Sequence, residues 1–177
     1  IPVTILREQR NPLNIPWRQY GVDIVVDCSG TFKDPTTPVD DKKGSIRGHL
    51  NGGAKAVIHS APFKIKNKAL STPEDTTTLI YGINHTAFNP KKHLLISAAS
   101  CTTTGLAHMV KPLLDNEYTS KILTASMSTI HAVTNTQSVL DKLPKAGEKD
   151  IRKTRSILNN IILTSTGAAK ALIEVIP

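Results

Sequence analysis

Short apolar runs alternate with polar, turn-rich stretches along the first hundred residues. The predicted strands are residues 1–6, 22–28, 54–60, 79–81 and 93–97. Each is too short for a helix and is bounded by turn residues, as is typical of buried strands. A helix is predicted over residues 42–51, because Gly52 and Gly53 follow it as a C-terminal stop. Strands separated by helices and loops predict a mainly parallel sheet.

The pattern changes to a helical period after residue 100. One face of the predicted helix carries Leu106, Met109, Val110, Leu113 and Leu114. Beyond it, the predicted elements are a longer strand over residues 121–131, a charged loop over 138–159, a short strand over 160–163 and a helix over 166–176.

Cys101 lies where the strand at residues 93–97 ends and this helix begins. Unpaired N–H groups and the helix dipole favour negative charge there, so a thiol in that place ionises more readily, and the thiolate is the nucleophile. Taken alone, such a cysteine is more often a small buried side chain. The neighbouring hydroxyls of Ser100 and Thr102, and His131 as a candidate base, favour the nucleophile.

Three motifs carry a resemblance to a known family. They read Ser100-Cys101-Thr102-Thr103, Thr129-Ile130-His131-Ala132-Val133-Thr134 and Thr164-Ser165-Thr166-Gly167-Ala168-Ala169-Lys170-Ala171. In this order and at this spacing they closely resemble phosphorylating glyceraldehyde-3-phosphate dehydrogenases. The resemblance extends from Ile1 to Pro177 and covers the middle of that family's sequence.

The pattern and the resemblance together predict an α/β fold. Residues 1–100 are predicted to be the trailing part of a doubly wound, Rossmann-type nucleotide-binding domain, and residues 101–177 the start of an α+β catalytic domain. No Gly-x-Gly-x-x-Gly turn is present, and the second domain has too little chain to close its own core. We therefore expect a partial sequence of a longer protein.

The resemblance implies a glycolytic oxidoreductase that converts glyceraldehyde 3-phosphate, a nicotinamide cofactor and inorganic phosphate to 1,3-bisphosphoglycerate through a thioester on Cys101. His131 would be the general base. The implied substrate and phosphate contacts are Ser100, Thr102, Thr134, Thr166 and Gly167. Any one of the threonines alone is better explained as a helix cap or a strand residue.

The implied cofactor contacts are Arg10, Ser29, Gly30, Phe32, Ser60 and Asn135. Taken alone, a serine or glycine at a strand end is ordinary turn chemistry. The implied cofactor is NAD, with NADP possible, because the alignment of residues 138–149 is ambiguous in the segment that helps to select between them. The resemblance also implies a homotetramer, and no metal site is expected.

Charge and cysteine content narrow the classes of protein to which this chain could belong. The net charge is +8, but only 4% of the residues are aromatic, so no stacking platform for nucleic acid is visible and a solvated basic surface is favoured. Cys28 and Cys101 suggest no disulfide framework, and no signal peptide or membrane span is evident. A cytoplasmic protein is expected.

Three other functions stay open. An erythrose-4-phosphate dehydrogenase would share the chemistry and differ in substrate length. An inactive basic fragment with a binding role would show binding that persists at high salt without cofactor. A Cys–His hydrolase would need no nicotinamide.

Overall fold

The computed structural model describes residues 1–134, 137–144, 146–148 and 150–176. Its strands are β1 (Ile24–Asp27), β2 (Ala56–His59), β3 (Thr76–Thr78) and β4 (Leu95–Ser97). They form one parallel sheet in the order β1-β2-β4-β3. Val57 is in register with Val25 on one side and with Leu95 on the other, and all three are buried. This row of apolar side chains is the centre of the first core.

Helix α1 (Arg47–Asn51) covers this core, to which Ile46 and Ala54 also contribute. A short 3-10 helix, Pro12–Asn14, packs against α1 so closely that a Cβ added to Gly48 would lie 2.5 Å from the Leu13 nitrogen. The absence of a side chain at this glycine therefore allows the two backbones to meet.

Helix α2 (Cys101–Asp115) follows β4, and the short helix α3 (Ala168–Leu172) packs against it. A second core lies beside them, built from Ile80, Ala99, Ala107 and Val175. Ala99 has a positive φ of 58°, a conformation that is uncommon for a residue with a Cβ. This turn between β4 and α2 places Cys101 just beyond the carboxyl end of β4.

The strands predicted at residues 22–28, 54–60 and 93–97 are confirmed, although each is shorter than predicted. The strand predicted at residues 79–81 is wrong, because pairing with β4 places β3 at Thr76–Thr78 instead. The strands predicted at residues 1–6, 121–131 and 160–163 are also wrong. Within the described part of the chain, no strand pairs with these segments, and Leu123 and Ile130 are 97% and 100% exposed. A strand needs a partner for its backbone groups, and alternation in sequence does not supply one.

Both short predicted helices are confirmed with later starts. Gly44 has a φ of 86° and closes a turn onto Asp41, so α1 begins only at Arg47. In the predicted loop at residues 138–159, the described residues form one 3-10 helix, Ile151–Thr154. None of the helices built from described residues has the length and apolar character needed to cross a bilayer.

Candidate active site

Cys101 is the first residue of α2, and its position is fixed by a helix cap. Ser100 has extended backbone angles, and its Oγ accepts a hydrogen bond from the Thr103 N–H at 3.0 Å. The same Oγ lies 2.7 Å from Thr103 Oγ1, on a side chain that is buried. Serine is a preferred residue for this role because its oxygen satisfies an otherwise unpaired N–H group. The cap therefore holds the start of the helix while Cys101 stays exposed to solvent.

The hydroxyl of Thr102 lies between the predicted nucleophile and the predicted base. Its Oγ1 is 3.3 Å from His131 Nε2 and 3.9 Å from Cys101 Sγ. His131 and Cys101 are 30 residues apart in sequence, and both contact the same oxygen. A proton can thus pass between sulfur and imidazole through one hydroxyl.

The other predicted phosphate contacts have local hydrogen bonds. Thr166 Oγ1 accepts from the Ala168 N–H at 3.2 Å, just ahead of α3, and Gly167 is the N-cap residue of that helix. Among the described residues, no hydrogen bond joins Thr166 or Gly167 to the group around Cys101. The backbone N–H of Thr134 donates to Gln137 Oε1 at 3.0 Å.

The predicted cofactor contacts Ser29, Gly30 and Ser60 lie together at the carboxyl ends of β1 and β2. The Ser60 N–H donates to the Asp27 carbonyl oxygen at 3.0 Å, which ties the two strand ends together. Gly30 has a φ of 63°, and an added Cβ there would meet no atom within 4 Å. The turn is therefore open on its outer side.

The remaining cofactor predictions differ in their surroundings. Phe32 packs against the first core and meets His49 edge-on, with ring centroids 6.5 Å apart. Arg10 is exposed in the N-terminal segment, and Asn135 lies outside the described residues. Cys28, the second cysteine, is also exposed, so accessibility alone does not distinguish it from Cys101.

Sequence reasoning missed a group of buried polar residues beneath this turn: Asp27, His49 and His59. Burial acts to raise the pKa of Asp27, but the neighbouring imidazole of His59 and the hydrogen bond from the Ser29 N–H outweigh it and lower that pKa to about 2. Burial also lowers the pKa of His49, and His59 adds to this effect while the charge of Asp27 opposes it. One signal was present in the sequence, since Asp27 shares its strand face with the core residue Val25.

Comparison with known proteins identifies the family of the chain. Residues 100–177 match the family model described as glyceraldehyde 3-phosphate dehydrogenase, C-terminal domain. The chain is 43% identical to a glyceraldehyde-3-phosphate dehydrogenase of Chlamydia pneumoniae, over 96% of this chain and 44% of that protein. The chain belongs to the glyceraldehyde-3-phosphate dehydrogenase family. Two further relatives with this name agree, from Streptomyces coelicolor at 41% identity and Bacillus subtilis at 39%.

Family membership confirms the resemblance carried by the three sequence motifs, and it agrees with the predicted α/β fold. These alignments cover 96% and 98% of this chain and 43% and 44% of the Streptomyces and Bacillus proteins. The chain thus spans less than half the length of the curated relatives it matches. The glyceraldehyde-3-phosphate dehydrogenase family is one of glycolytic dehydrogenases, which are oxidoreductases. The division into residues 1–100 and 101–177 stays a prediction.

Proposed function

We propose that this chain supplies the nucleophile of a phosphorylating aldehyde dehydrogenase that acts on glyceraldehyde 3-phosphate. The observation that carries the proposal is the shared Thr102 hydroxyl, which contacts both Cys101 Sγ and His131 Nε2. A nucleophile at a helix N-terminus next to a base is the arrangement that thiol catalysis requires.

The chemistry follows from these residues. His131 takes the thiol proton, the Cys101 thiolate forms a bond to the aldehyde carbon, and the proton then passes from His131 to the former carbonyl oxygen, giving a hemithioacetal. A nicotinamide cofactor, when bound, supplies the acceptor for the hydride. His131 accepts the hydroxyl proton as the hemithioacetal is oxidised to a thioester on Cys101. Inorganic phosphate then attacks the thioester carbon, releasing the Cys101 thiolate and the acyl phosphate.

The residues present fit a dinucleotide at the carboxyl ends of β1 and β2. In open α/β sheets, ligands bind outside this edge. Ser29 and Ser60 are exposed there, and the space beside Gly30 is open. We propose NAD as the cofactor, with NADP as the alternative, and Arg10, Phe32 and Asn135 as further contacts.

The substrate phosphate and the inorganic phosphate are proposed to bind among hydroxyls and backbone N–H groups. The proposed contacts are Ser100, Thr102, Thr134, Thr166 and Gly167. Ser100 and Thr102 adjoin Cys101, and the start of a helix favours an anion.

We further propose a cytoplasmic homotetramer. Exposed apolar side chains such as Leu123, Ile130 and Leu143 support burial of this half of the chain against other protein.

The test measures NADH formation at 340 nm with glyceraldehyde 3-phosphate and NAD⁺, with and without inorganic phosphate. The proposal predicts sustained turnover only with phosphate, its loss in Cys101→Ser, and its retention in Cys28→Ser. Erythrose 4-phosphate in a parallel assay should give a lower kcat/KM. Turnover by Cys101→Ser at the rate of the unaltered protein would contradict the proposal, and a higher kcat/KM for erythrose 4-phosphate would reassign the substrate.

A further inference from the structure

Three buried polar side chains beneath the turn at residues 28–31 have no part in the chemistry proposed above. Asp27 on β1, His49 on α1 and His59 on β2 have side chains that are 3%, 7% and 0% exposed. Asp27 Oδ2 lies 3.4 Å from His59 Nδ1 and 4.0 Å from His49 Nε2. Oδ2 and both nitrogens lack a well-formed hydrogen bond. Burying an anion is costly unless it is paired and hydrogen-bonded, so the groups around Asp27 must stabilise its carboxylate.

The protonation state of His49 follows from its contact with Trp17. Trp17 Nε1 donates a hydrogen bond to His49 Nδ1 at 3.0 Å. An indole N–H can only donate, so Nδ1 carries no proton and the neutral imidazole carries its proton on Nε2. This Nε2 atom lies 4.0 Å from Asp27 Oδ2. A metal ion on Nε2 would require this proton to move to Nδ1, against Trp17, and no group of metal ligands is found among the described residues.

His59 completes the enclosure of the carboxylate. Its ring stacks on Phe63, with centroids 5.7 Å apart and the planes inclined by only 9°. This stacking fixes the ring plane and keeps Nδ1 beside Asp27 Oδ2. The charged or titratable groups that act on Asp27 are thus the two imidazoles, one from α1 and one from β2.

The other oxygen of the carboxylate supports the turn above. Asp27 Oδ1 accepts the Ser29 N–H at 2.8 Å, and Ser29 Oγ accepts the Thr31 N–H at 3.2 Å. The Asp27 carbonyl oxygen accepts the Ser60 N–H. One residue therefore holds three proposed cofactor contacts, because Gly30 lies between Ser29 and Thr31.

We propose that Asp27 is a positioning residue for cofactor binding: its carboxylate, oriented by His49 and His59, fixes the turn that presents Ser29 and Gly30 to the dinucleotide. This inference rests on the cofactor half of the proposed function. Asp27 itself lies beneath the turn and acts through it, so it should change the affinity for cofactor and leave the chemistry at Cys101 unchanged.

The experiment measures NAD⁺ affinity by isothermal titration, together with KM for NAD⁺ and kcat. Asp27→Ala removes the acceptor for the Ser29 N–H and should weaken NAD⁺ binding about tenfold or more, the effect of losing a charge-assisted hydrogen bond. Asp27→Asn keeps an oxygen for Ser29 and should recover part of that loss. The kcat at saturating NAD⁺ and the KM for the aldehyde should stay unchanged in both.

Asp23→Ala is the matched control, because Asp23 precedes the same strand and has an exposed carboxylate paired with Lys55. It should leave NAD⁺ affinity unchanged. Equal affinity in the Asp27 variants and the unaltered protein would overturn the inference. If the unaltered protein itself does not bind NAD⁺, the proposed function fails instead, and the inference fails with it.

A measurement on the unaltered protein covers the case in which the variants do not fold. Amide hydrogen exchange of Ser29, followed by NMR, should be slowed at least about tenfold relative to an unstructured chain, although the residue is exposed, because its N–H is bonded to a buried carboxylate. Exchange at the rate of an unstructured amide would overturn the inference.

Discussion

The ion pair between Arg47 and Asp75 should be the most stabilising charged contact of the first core. The Arg47 guanidinium donates to both carboxylate oxygens of Asp75, at 2.8 and 2.9 Å, and its Nε donates to the Pro35 carbonyl oxygen. Asp75 is held by its backbone as well, since its carbonyl oxygen accepts the N–H groups of Leu94 and Leu95. The contact thus joins α1 to the sheet with little loss of side-chain freedom.

The magnitude follows from exposure and geometry. The Arg47 and Asp75 side chains are 26% and 28% exposed, between the fully exposed pairs that contribute about 0–1 kcal/mol and the buried pairs whose disruption costs about 3–5 kcal/mol. We expect Arg47→Met to lower the free energy of unfolding by about 2 kcal/mol. Arg47→Lys keeps the charge but loses the bidentate geometry, so it should recover only part of this.

Urea unfolding followed by circular dichroism measures this difference, provided that the m-value stays the same. Lys55→Met is the matched control. Lys55 pairs with Asp23 at 2.9 Å, but the two side chains are 79% and 65% exposed, so the loss should stay within about 0.5 kcal/mol. Equal losses in Arg47→Met and Lys55→Met would refute the reasoning from burial and geometry.

Three further changes test the packing, the helix cap and the buried acid. Gly48→Ala should lower the free energy of unfolding by at least about 1 kcal/mol, because the added Cβ would lie 2.5 Å from the Leu13 nitrogen. Gly105→Ala lies within α2, where an added Cβ meets no atom within 4 Å, and should raise the free energy of unfolding by about 0.5–1 kcal/mol. Thermal unfolding of the two variants measures this difference. Ser100→Ala should cost about 1 kcal/mol in urea unfolding through loss of the α2 cap, and no loss would contradict the cap. Because the pKa of Asp27 is held at about 2, below the ordinary value of 3.8, its contribution of about 2 kcal/mol is complete above pH 4 and is lost as the pH falls towards 2. Asp27→Asn should flatten the stability profile in that window, and an unchanged slope would contradict this account.

Local features of the sequence predicted the start of α2 and three of the four strands. Ser100 followed by a helical apolar period specifies both a cap and a helix, and neither depends on distant residues. The position of β3 was missed because its register is set by pairing with β4, 17 or more residues away. The strand predicted at residues 121–131 was wrong for the same physical reason, since the alternation is present but no segment that the structure describes pairs with it.

The candidate site was likewise only partly predictable from the sequence. Cys101 could be proposed from its place at a strand–helix junction, while the contact between the Thr102 hydroxyl and His131 depends on the path of a segment 29 residues further along. The place of Asp27 on the strand face of Val25 indicated its burial, but the cluster could not be assembled from the sequence, because Asp27, His49 and His59 come from three separate elements. Their chemistry arises only when β1, β2 and α1 meet.

The most direct test of the account is the chemical fate of Cys101 during one turnover. The protein is mixed with glyceraldehyde 3-phosphate and NAD⁺ in the absence of inorganic phosphate, quenched in acid, and digested for mass spectrometry. The account predicts one acyl group on Cys101 and none on Cys28 for each NADH formed, with the acyl group lost when phosphate is added before the quench. Both cysteines are exposed, so a difference between them must come from chemistry and not from access. NADH formation with Cys101 unmodified, or acylation of Cys28 instead, would contradict the central claim.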